Sequence, residues 1–309
     1  MSELTSVDAF LLETIADMPG GQAKGALNIR KDSGCASRVT TENIDIRTKE
    51  DKPGIDVIIR PGTKNETCHI PVIITQSGLT ETVYNDFYVG EDSDVTIIAG
   101  CGIHNCGGDV SQHDGVHTFH IGKNARVAYV EKHYGEGDGG GKNVMNPQTV
   151  AYLEEGAFLK MDTSQIRGVD STRRDTKIVC GPGAETVVTE RLQTHGEQRA
   201  ESNMEIVLDG GGSKGQVVSR SVAQERSCQV FYPRMTGNAN CFGHVQCDSI
   251  IMDDAKITSI PALCANSTEA QLIHEAAIGK IAGDQLLKLQ TLGLTAEEAE
   301  ERILKGFLA

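Results

Sequence analysis

Aromatic side chains and proline are scarce in this sequence. Tryptophan is absent, phenylalanine and tyrosine together supply 4 % of the 309 residues, and there are only eight prolines. The chain therefore has little material for the aromatic platforms on which sugar-binding grooves depend. Hydrophobic residues nevertheless make up 39 % of the chain, so the composition is that of a folded protein and not of a disordered one.

Positive charge and long apolar runs are also in short supply. Lysine and arginine number 29 against 43 aspartates and glutamates, a net charge of −14, which argues against binding nucleic acid or anionic lipid through a general basic surface. The longest apolar stretches, such as residues 95–101, have the length of a strand and cannot span a membrane. Residues 1–4 lack the features of a signal peptide, and we expect a soluble cytoplasmic protein.

Glycine, by contrast, is abundant, at 34 residues, and a short pattern recurs through the middle of the chain. An apolar residue is followed by a turn, usually Gly-x-x, then by alanine or serine, and then by alternating apolar residues. The small residues are separated by 32, 32, 27 and 29 positions and are Ser93, Ala125, Ala157, Ala184 and Ser213. A repeat of about 30 residues with strand and turn content is typical of a solenoid. We predict a mainly β protein, a parallel β-helix with glycine supplying positive φ at the corners; the alternative is an antiparallel β-sandwich, whose strands usually recur every 8–12 residues.

Helical patterns flank this β segment. An apolar stripe after a candidate N-cap, Ser6, predicts a short N-terminal helix that ends at Pro19. Near the C-terminus, capping-box sequences at 266–269 and 295–298 predict a helical hairpin whose first helix extends to about Leu292. The predicted organisation is an N-terminal helix at 1–21, a β-helix core at 22–260 and a C-terminal helical segment at 261–309.

The nine cysteines include two that stand in distinctive surroundings. An odd number cannot all pair, and thiols in a cytosolic chain indicate metal, persulfide or redox chemistry. Residues 240–248 contain Cys241, His244 and Cys247, which resembles a metal site. On a strand, however, the two cysteines share one face and His244 points to the other. Cys247 is therefore either a metal ligand or a small buried core residue.

The second distinctive stretch, residues 100–108, reads Gly-Cys-Gly-Ile-His-Asn-Cys-Gly-Gly. Cys101 between two glycines is expected to be open to its surroundings and to form the accessible thiolate that persulfide transfer or metal capture needs; the alternative is an incidental thiol in a turn. The nearby His113, His117 and His120 suggest zinc, but strand alternation places the last two on opposite faces, and no helical H-E-x-x-H pattern is present. These histidines are alternatively polar residues of the core or lining of the β-helix.

Two further stretches bear on ligand binding. His274 and Glu275 fall in the predicted C-terminal helix, near an N-terminus where free N–H groups and the helix dipole favour an anion or a metal–sulfide cluster; they are alternatively a polar pair on the surface. The glycine run at 137–141 is followed by Lys142 without a subsequent serine or threonine. The frame of a P-loop is therefore missing, and we expect no ATP site of that kind.

The sequence resembles the SufB/SufD family of iron–sulfur cluster assembly proteins, most densely near its C-terminal end. The resemblance covers about residues 25–307. It depends on the order of Gln-Cys-Asp-Ser-Ile-Ile-Met at 246–252, His-Glu-Ala-Ala at 274–277, Asp-Gln at 284–285 and Gly-Phe at 306–307. It implies a right-handed parallel β-helix with C-terminal helices, and a B-type scaffold on which a cluster is built and then handed on, rather than an enzyme with its own ATPase motif.

The resemblance also implies roles for individual residues. Cys247 matches the scaffold cysteine, Glu275 its acidic partner and His274 the neighbouring histidine, so these three residues are the expected ligands of a transient iron–sulfur cluster, which we expect to be absent from protein isolated in air. Cys101 matches the cysteine that accepts sulfur and passes it along the β-helix interior. Ile273 stands where some relatives carry a further acidic residue.

The implied partners are a second SufB/SufD-like subunit, sulfur donor proteins and an ABC-type ATPase, SufC, that binds the C-terminal helices. The implied dimer forms through the last strands of the β-helix. Because the B-type cysteine and the His-Glu pair occur together in this chain, we expect a homodimer. The competing hypotheses are a β-helix enzyme that modifies polysaccharides and a component of membrane transport, and the lack of a spanning segment disfavours the second.

Overall fold

The computed structural model describes residues 4–309, which form a long β-solenoid with helices at both ends. The first three residues of the predicted N-terminal helical segment lie outside the described residues. They also belong to residues 1–4, for which no signal-peptide features are expected. The helices are α1 (Ser6–Ala16), α2 (Gly283–Thr291) and α3 (Ala296–Phe307), with a 3-10 turn at Pro19–Gly21. The strands are β1 (Ala26–Lys31), β2 (Gly34–Val39), β3 (Ile44–Thr48), β4 (Gly54–Ile59), β5 (Lys64–Ile74), β6 (Thr80–Val89), β7 (Asp94–His104), β8 (Ser111–Ile121), β9 (Arg126–Glu136), β10 (Asn143–Met145), β11 (Gln148–Leu153), β12 (Phe158–Arg167), β13 (Ser171–Cys180), β14 (Glu185–Thr194), β15 (Arg199–Leu208), β16 (Ser213–Ala223), β17 (Cys228–Gly237), β18 (Cys241–Ile251), β19 (Lys256–Ser259), β20 (Ala262–Ala265) and β21 (Ala270–Gly279).

Successive strands alternate between two sheets, which confirms the predicted parallel β-helix and excludes the sandwich. The first sheet has the order β2-β1-β5-β7-β9-β12-β14-β16-β18-β21, and the second has the order β19-β17-β15-β13-β10-β8-β6-β4-β3. Only the pairs β1–β2 and β3–β4, at the N-terminal end of the described solenoid, are antiparallel. The chain completes about eight turns.

The corners of the solenoid explain the sequence repeat. The five repeated small residues, Ser93, Ala125, Ala157, Ala184 and Ser213, are all buried. Positive φ occurs one position before the small residue. Glycine supplies it at three of the five corners, as predicted, at Gly156, Gly183 and Gly212, whereas Asp92 (54°) and Asn124 (55°) supply it at the other two. At Gly122 the reason for glycine is close approach, because a Cβ there would lie 2.8 Å from the carbonyl oxygen of Val89 in the preceding coil. The close stacking of successive coils therefore explains the small residues and the glycine of the sequence repeat.

Helix α1 covers the outer face of the first sheet near its N-terminal end. Its N-cap is Thr5 rather than the predicted Ser6, and Thr5 forms a capping box with Asp8. The helix buries Leu11, Leu12 and Ile15 against the sheet. Gly100 on β7 makes room for it, since a Cβ at that position would lie 2.5 Å from the carbonyl oxygen of Ile15.

The predicted helix from 266 to about 292 is wrong over its first half. Residues Ala270–Gly279 form strand β21, which pairs in parallel with β18 along its whole length. The apolar residues there suit a helical and an extended period alike, and pairing with the preceding coil decides between them. Helix α2 begins only at Gly283 and has no side-chain cap, whereas the predicted capping box between Thr295 and Glu298 is present at the start of α3.

The last coil ends in an uncovered edge. Strand β21 is the final strand of the first sheet, and β19 and β20 lie at the end of the second. Large apolar side chains are exposed along this coil, among them Leu263, Ile273 and Ile278. An edge of this kind offers free N–H and C=O groups for pairing with another strand.

Among the helices of residues 4–309, none has the length and apolarity needed to cross a bilayer.

Candidate functional site

Cys101 lies inside the solenoid and not in an open turn. Its side chain is 3 % exposed, and burial, reinforced by the negative charges of Glu81 and Glu131, raises its pKa well above the ordinary thiol value. The predicted accessible thiolate is therefore wrong for the isolated chain. Strand alternation explains the error: the glycines on either side of Cys101 lie on the outer face, where α1 covers them.

A small cavity of about 20 Å³ adjoins Cys101. This volume is enough for about one water molecule. Its polar lining residues include His113, His117, Glu131 and His133. The thiol thus faces titratable groups rather than hydrocarbon alone.

The three histidines do not form a zinc site. His113 and His117 are buried, whereas His120 lies on the outer face, stacked between Tyr88 and Tyr152 with ring centroids 5.1 and 5.7 Å away. The prediction that strand alternation separates them is confirmed. Within residues 4–309, no three His, Cys, Asp or Glu side chains are grouped so as to hold a metal ion.

A row of polar side chains joined by hydrogen bonds and ion pairs runs through the interior from the Cys101 cavity, and we call it the interior polar row. His117 Nδ1 donates to the Tyr129 hydroxyl at 2.7 Å, and that hydroxyl donates to Glu131 Oε1 at 3.0 Å. Burial and the surrounding cationic groups lower the pKa of His117 to about 4 although Glu131 acts in the opposite direction. The members of the row are His117, Tyr129, Glu131, His133, Arg174 and Glu190.

Arg174 connects two carboxylates at the centre of this row. Its guanidinium donates a hydrogen bond to Glu131, and its Nε lies 3.7 Å from Glu190 Oε1. Burial alone would raise the pKa of Glu131, but the charge of Arg174 and the neighbouring His133 hold it well below the ordinary value. Buried ion pairs of this kind are weak contributors to stability compared with apolar packing, so the row is a candidate for function.

Cys247 lies at the far end of the row. It is on the inner face of β18, 3 % exposed, and its Sγ is 3.5 Å from Nε2 of His274 on β21. Burial, with a smaller effect of the charge on Glu190, raises the pKa of Cys247 to about 12. Burial, together with the charge of His244, lowers the pKa of His274. At neutral pH this pair is a neutral thiol beside a neutral imidazole.

The interior polar row reaches the surroundings of Cys247. Glu190 accepts hydrogen bonds from Ser202 at 2.7 Å and Ser219 at 3.2 Å. It also lines a cavity of about 20 Å³ with Cys247, and the other polar lining residues are Ser202, Ser219, Ser221, Gln229, Ser249 and Ser259. Polar groups therefore connect the cavity of one buried cysteine with that of the other.

Glu275 is not part of this inner group. In the register of β18 with β21, Val245 lies opposite His274 and Gln246 lies opposite Glu275, so neighbouring residues 274 and 275 point to opposite faces of the sheet. The Glu275 side chain is 66 % exposed, and its Oε2 lies 3.5 Å from His244 Nε2. The structure thus brings Cys247 and His274 together and places Glu275 outside.

The interior polar row is the feature that the sequence analysis missed. On β9, Glu131 and His133 have the same alternating phase as the buried Val127 and Tyr129. A charged residue in phase with apolar core positions is the signal that could have identified them.

Comparison with known proteins assigns most of the chain to one family. Residues 73–307 match the SufBD core domain of the SUF system of FeS cluster assembly. That match begins within β5 and contains all of the interior polar row, Cys101, Cys247 and the C-terminal helices.

Individual relatives support the same assignment. An iron–sulfur cluster assembly SufBD family protein of Methanocaldococcus jannaschii is 27 % identical over 290 residues, which cover 92 % of this chain and 90 % of the relative. A SufBD family protein of Methanothermobacter thermautotrophicus is 29 % identical over 245 residues, 77 % of this chain and 58 % of the relative, so the alignment spans less than two thirds of that protein. The chain belongs to the SufBD family of the SUF iron–sulfur cluster assembly system.

Proposed function

We propose that this protein is an assembly scaffold in which Cys101 accepts sulfur inside the solenoid, the interior polar row carries it onward and an iron–sulfur cluster is built at Cys247. The observation that carries the proposal is the continuity of polar side chains between the two buried cysteines, with a cavity at each end. The cluster is cargo, and the protein's part is to hold its components and release the product.

The proposed ligands suit temporary binding. A thiol whose pKa is about 12 must release its proton when it binds iron, so ligation by Cys247 is coupled to proton release. His274 Nε2 is the nearest second donor, at 3.5 Å from the sulfur. One thiolate and one imidazole per chain form a weaker set than the four thiolates of stable storage clusters. Glu275 joins the set in this proposal only when β21 turns or separates from β18.

The open edge of the last coil is the proposed dimer surface. If two copies pair their β21 strands, each Cys247 lies one strand from the seam. The two cysteines are then separated by three strand spacings, roughly 14 Å. That distance is too long for two sulfurs to share one small cluster. We therefore propose that β21 is displaced when the cluster forms between the subunits.

The C-terminal helices are the proposed site of an ABC-type ATPase of the SufC kind. Helix α2 has no buried residue, and Leu287 and Leu292 are among the most exposed apolar side chains, Leu292 at 74 %. Helix α3 is tied to the solenoid by Arg220, which donates to the carbonyl oxygens of Phe307 and Ala309. Arg220 lies on β16, next to β18, so movement of the helices would reach the strand that carries Cys247.

Anaerobic reconstitution with ferrous iron and sulfide tests the cluster site. The variant is Cys247→Ala, and the matched control is Cys241→Ala, which removes a second buried thiol from the same face of the same strand. We expect the wild type and the control to bind iron and sulfide and to turn brown, and Cys247→Ala to lose most of both. Normal iron and sulfide content in Cys247→Ala would reject the proposed site.

Co-purification tests the ATPase surface. The double variant Leu287→Glu, Leu292→Glu should lose binding to a SufC-type ATPase, while Val110→Glu, at an exposed apolar position elsewhere, should keep it. Equal retention by both variants would place the ATPase on another surface.

Light scattering tests the proposed homodimer. The wild type should give the mass of two chains, and a stable monomer would reject the homodimer.

The surface of the protein gives little support to the alternative that the protein is a polysaccharide-modifying enzyme. The outer face of the second sheet carries a groove of about 330 Å³, whose carboxylates include Asp175 and Glu205. Asp175 accepts from Asn203 at 2.8 Å, and Glu205 pairs with Lys177 at 3.1 Å. Carboxylates engaged in this way are poorly placed for acid–base catalysis on a sugar, and the family match favours assembly.

A further inference from the structure

A second thiol, Cys106, lies in a hydrogen-bonded relay outside the solenoid. Its Sγ is 3.0 Å from Nε2 of His104, and Nδ1 of His104 is 2.9 Å from Oε1 of Glu136. The other oxygen of Glu136 accepts from the Tyr134 hydroxyl at 3.0 Å. With the Nδ1 proton donated to Glu136, Nε2 is the ring atom free to accept a proton from the thiol.

The order of groups in this relay is that of an activated nucleophile. A thiol lies against an imidazole base, and a carboxylate orients the base from the far side. Cys106 is exposed, and the side chains of His104 and Glu136 are each about one quarter exposed, so a large reactant can reach the sulfur. Cys101 offers no such access.

The backbone around Cys106 is fixed by its neighbour Asn105, which is buried. The Asn105 N–H donates to the Glu136 carbonyl at 2.9 Å, its side-chain amide donates to the Asp109 carbonyl at 2.9 Å, and its side-chain oxygen accepts from the Gly107 N–H at 3.1 Å. The thiol is therefore held at the end of β7 beside the imidazole that the same strand provides.

The other exposed cysteines lack this arrangement. Cys35 Sγ lies near the side-chain oxygen of Asn28, at 3.6 Å, and Cys264 Sγ lies near that of Asn266, at 3.3 Å. These neighbours are acceptors without basic character. The chain thus supplies two exposed thiols as internal controls for the effect of the relay.

We propose that Cys106 accepts sulfane sulfur from the persulfide of a donor protein, as an outer acceptor distinct from Cys101. The inference rests on the proposed function, since it requires that sulfur be delivered to this chain. It assigns the exposed end of that delivery to Cys106 and the base to His104, with Glu136 as the positioning residue.

The transfer balances without an added oxidant or reductant. The Cys106 proton passes to His104 Nε2, and the thiolate attacks the outer sulfur of the donor R–S–SH. The new S–S bond at Cys106 forms as the S–S bond of the donor breaks, and the departing thiolate R–S⁻ takes the proton from the imidazolium. The products are the Cys106 persulfide and R–SH, and the sulfane sulfur keeps its oxidation state.

Reaction of the full chain with glutathione persulfide tests the proposal. After quenching by alkylation, mass spectrometry of the three cysteine peptides measures the gain of one sulfur atom at Cys106, Cys35 and Cys264. We expect Cys106 to react first, and His104→Gln to slow it on the order of a hundredfold, the lower range for a positioned base. Equal rates at the three thiols, or no effect of His104→Gln, would overturn the proposal.

Two variants of Glu136 test the positioning role. Glu136→Ala removes the acceptor for the His104 Nδ1 proton, whereas Glu136→Gln keeps an oxygen there without the charge. We expect Glu136→Ala to slow sulfur uptake and Glu136→Gln to recover part of the rate, with unchanged thermal unfolding in both. Equal loss in the two variants would reject orientation as the role of Glu136.

The cluster site and the outer acceptor can fail separately. The Cys106→Ser variant should still assemble a cluster from iron and inorganic sulfide, because free sulfide bypasses persulfide uptake. The Cys247→Ala variant should still gain sulfur at Cys106. If wild-type protein reconstitutes a cluster normally but Cys106 gains no sulfur from glutathione persulfide, only this inference is overturned. If Cys247→Ala still reconstitutes a cluster, the proposed function is rejected whatever happens at Cys106.

Discussion

Replacing Arg174 tests whether the interior polar row depends on its central charge. Arg174→Met keeps a long side chain in the core but leaves Glu131 and Glu190 without their shared cation. Removing one partner of a buried ion pair typically costs about 3–5 kcal/mol, because the remaining charge is buried without compensation. Both carboxylates are at most 5 % exposed, so we expect the effect to lie in that range.

The loss of folding stability in Arg174→Met should depend on pH. In the wild type the pKa of Glu131 is held well below its ordinary value of 4.5. A carboxyl whose folded-state pKa is lowered adds stability above the unfolded pKa, and this stability is lost as the pH falls through the folded pKa. In Arg174→Met, Glu131 takes up a proton at higher pH. The difference in unfolding free energy between wild type and variant should therefore be largest near neutral pH and shrink on acidification.

Urea unfolding followed by circular dichroism measures both effects. The matched control is Arg173→Met, because Arg173 is the preceding residue on β13, faces outward with a 62 % exposed side chain and pairs with Asp175 at 3.3 Å. An exposed pair of this kind contributes at most about 1 kcal/mol. The double variant Arg174→Met, Glu131→Gln should recover part of the loss. Equal small effects of Arg173→Met and Arg174→Met would refute the reasoning.

Three further predictions concern reactivity, packing and capping. Iodoacetamide should modify the exposed thiols of the folded chain, whereas Cys101 and Cys247, buried and with raised pKa values, should react only after denaturation; early labelling of either, seen by mass spectrometry, would contradict their burial. Gly100→Ala should cost about 1–3 kcal/mol by overpacking and expose α1 to proteolysis, while Gly108→Ala, with nothing within 4 Å of the added Cβ, should resist proteolysis as the wild type does. Thr295→Ala should weaken α3 by about 1 kcal/mol through loss of its cap, and unchanged hydrogen exchange across 296–307 would argue against that role.

The β-helix could be predicted because its repeat reflects a local steric requirement. Each small corner residue, such as Ala125, is buried where two coils meet, and each following strand alternates inner and outer residues. Both constraints recur in every coil, so they are visible in one sequence. The alternation also placed Cys241 and Cys247 on one face and His244 on the other, as found.

The errors arose where distant parts of the chain decide local structure. Residues 270–279 contain alanine, leucine and isoleucine in spacings that suit a helix, but ten backbone pairings with β18 make them a strand. In the strand, the side chain of Glu275 lies on the outer face, away from Cys247. Likewise, the glycines beside Cys101 indicate free space, yet only the fold shows that α1 fills it.

The resemblance identified the end points of the proposed sulfur path but not its interior. Cys101 and Cys247 stand in recognisable stretches, whereas Glu131, Arg174 and Glu190 come from three separate strands in two sheets and meet only after coiling. The sequence spacing between Glu131 and Arg174 is 43 residues. Their contact depends on the number of residues in each intervening coil, which is not constant along the chain.

Pulsed electron paramagnetic resonance of the reduced, anaerobically reconstituted protein tests the central claim most directly. The claim is that Cys247 on β18 and His274 on the neighbouring strand β21, with Sγ 3.5 Å from Nε2, together hold the nascent cluster. The spectrum should show coupling of the cluster to an imidazole nitrogen in the wild type, and His274→Ala should remove that coupling while the His244→Ala control keeps it. A wild-type cluster without nitrogen coupling, or one whose coupling survives in His274→Ala, would contradict the account.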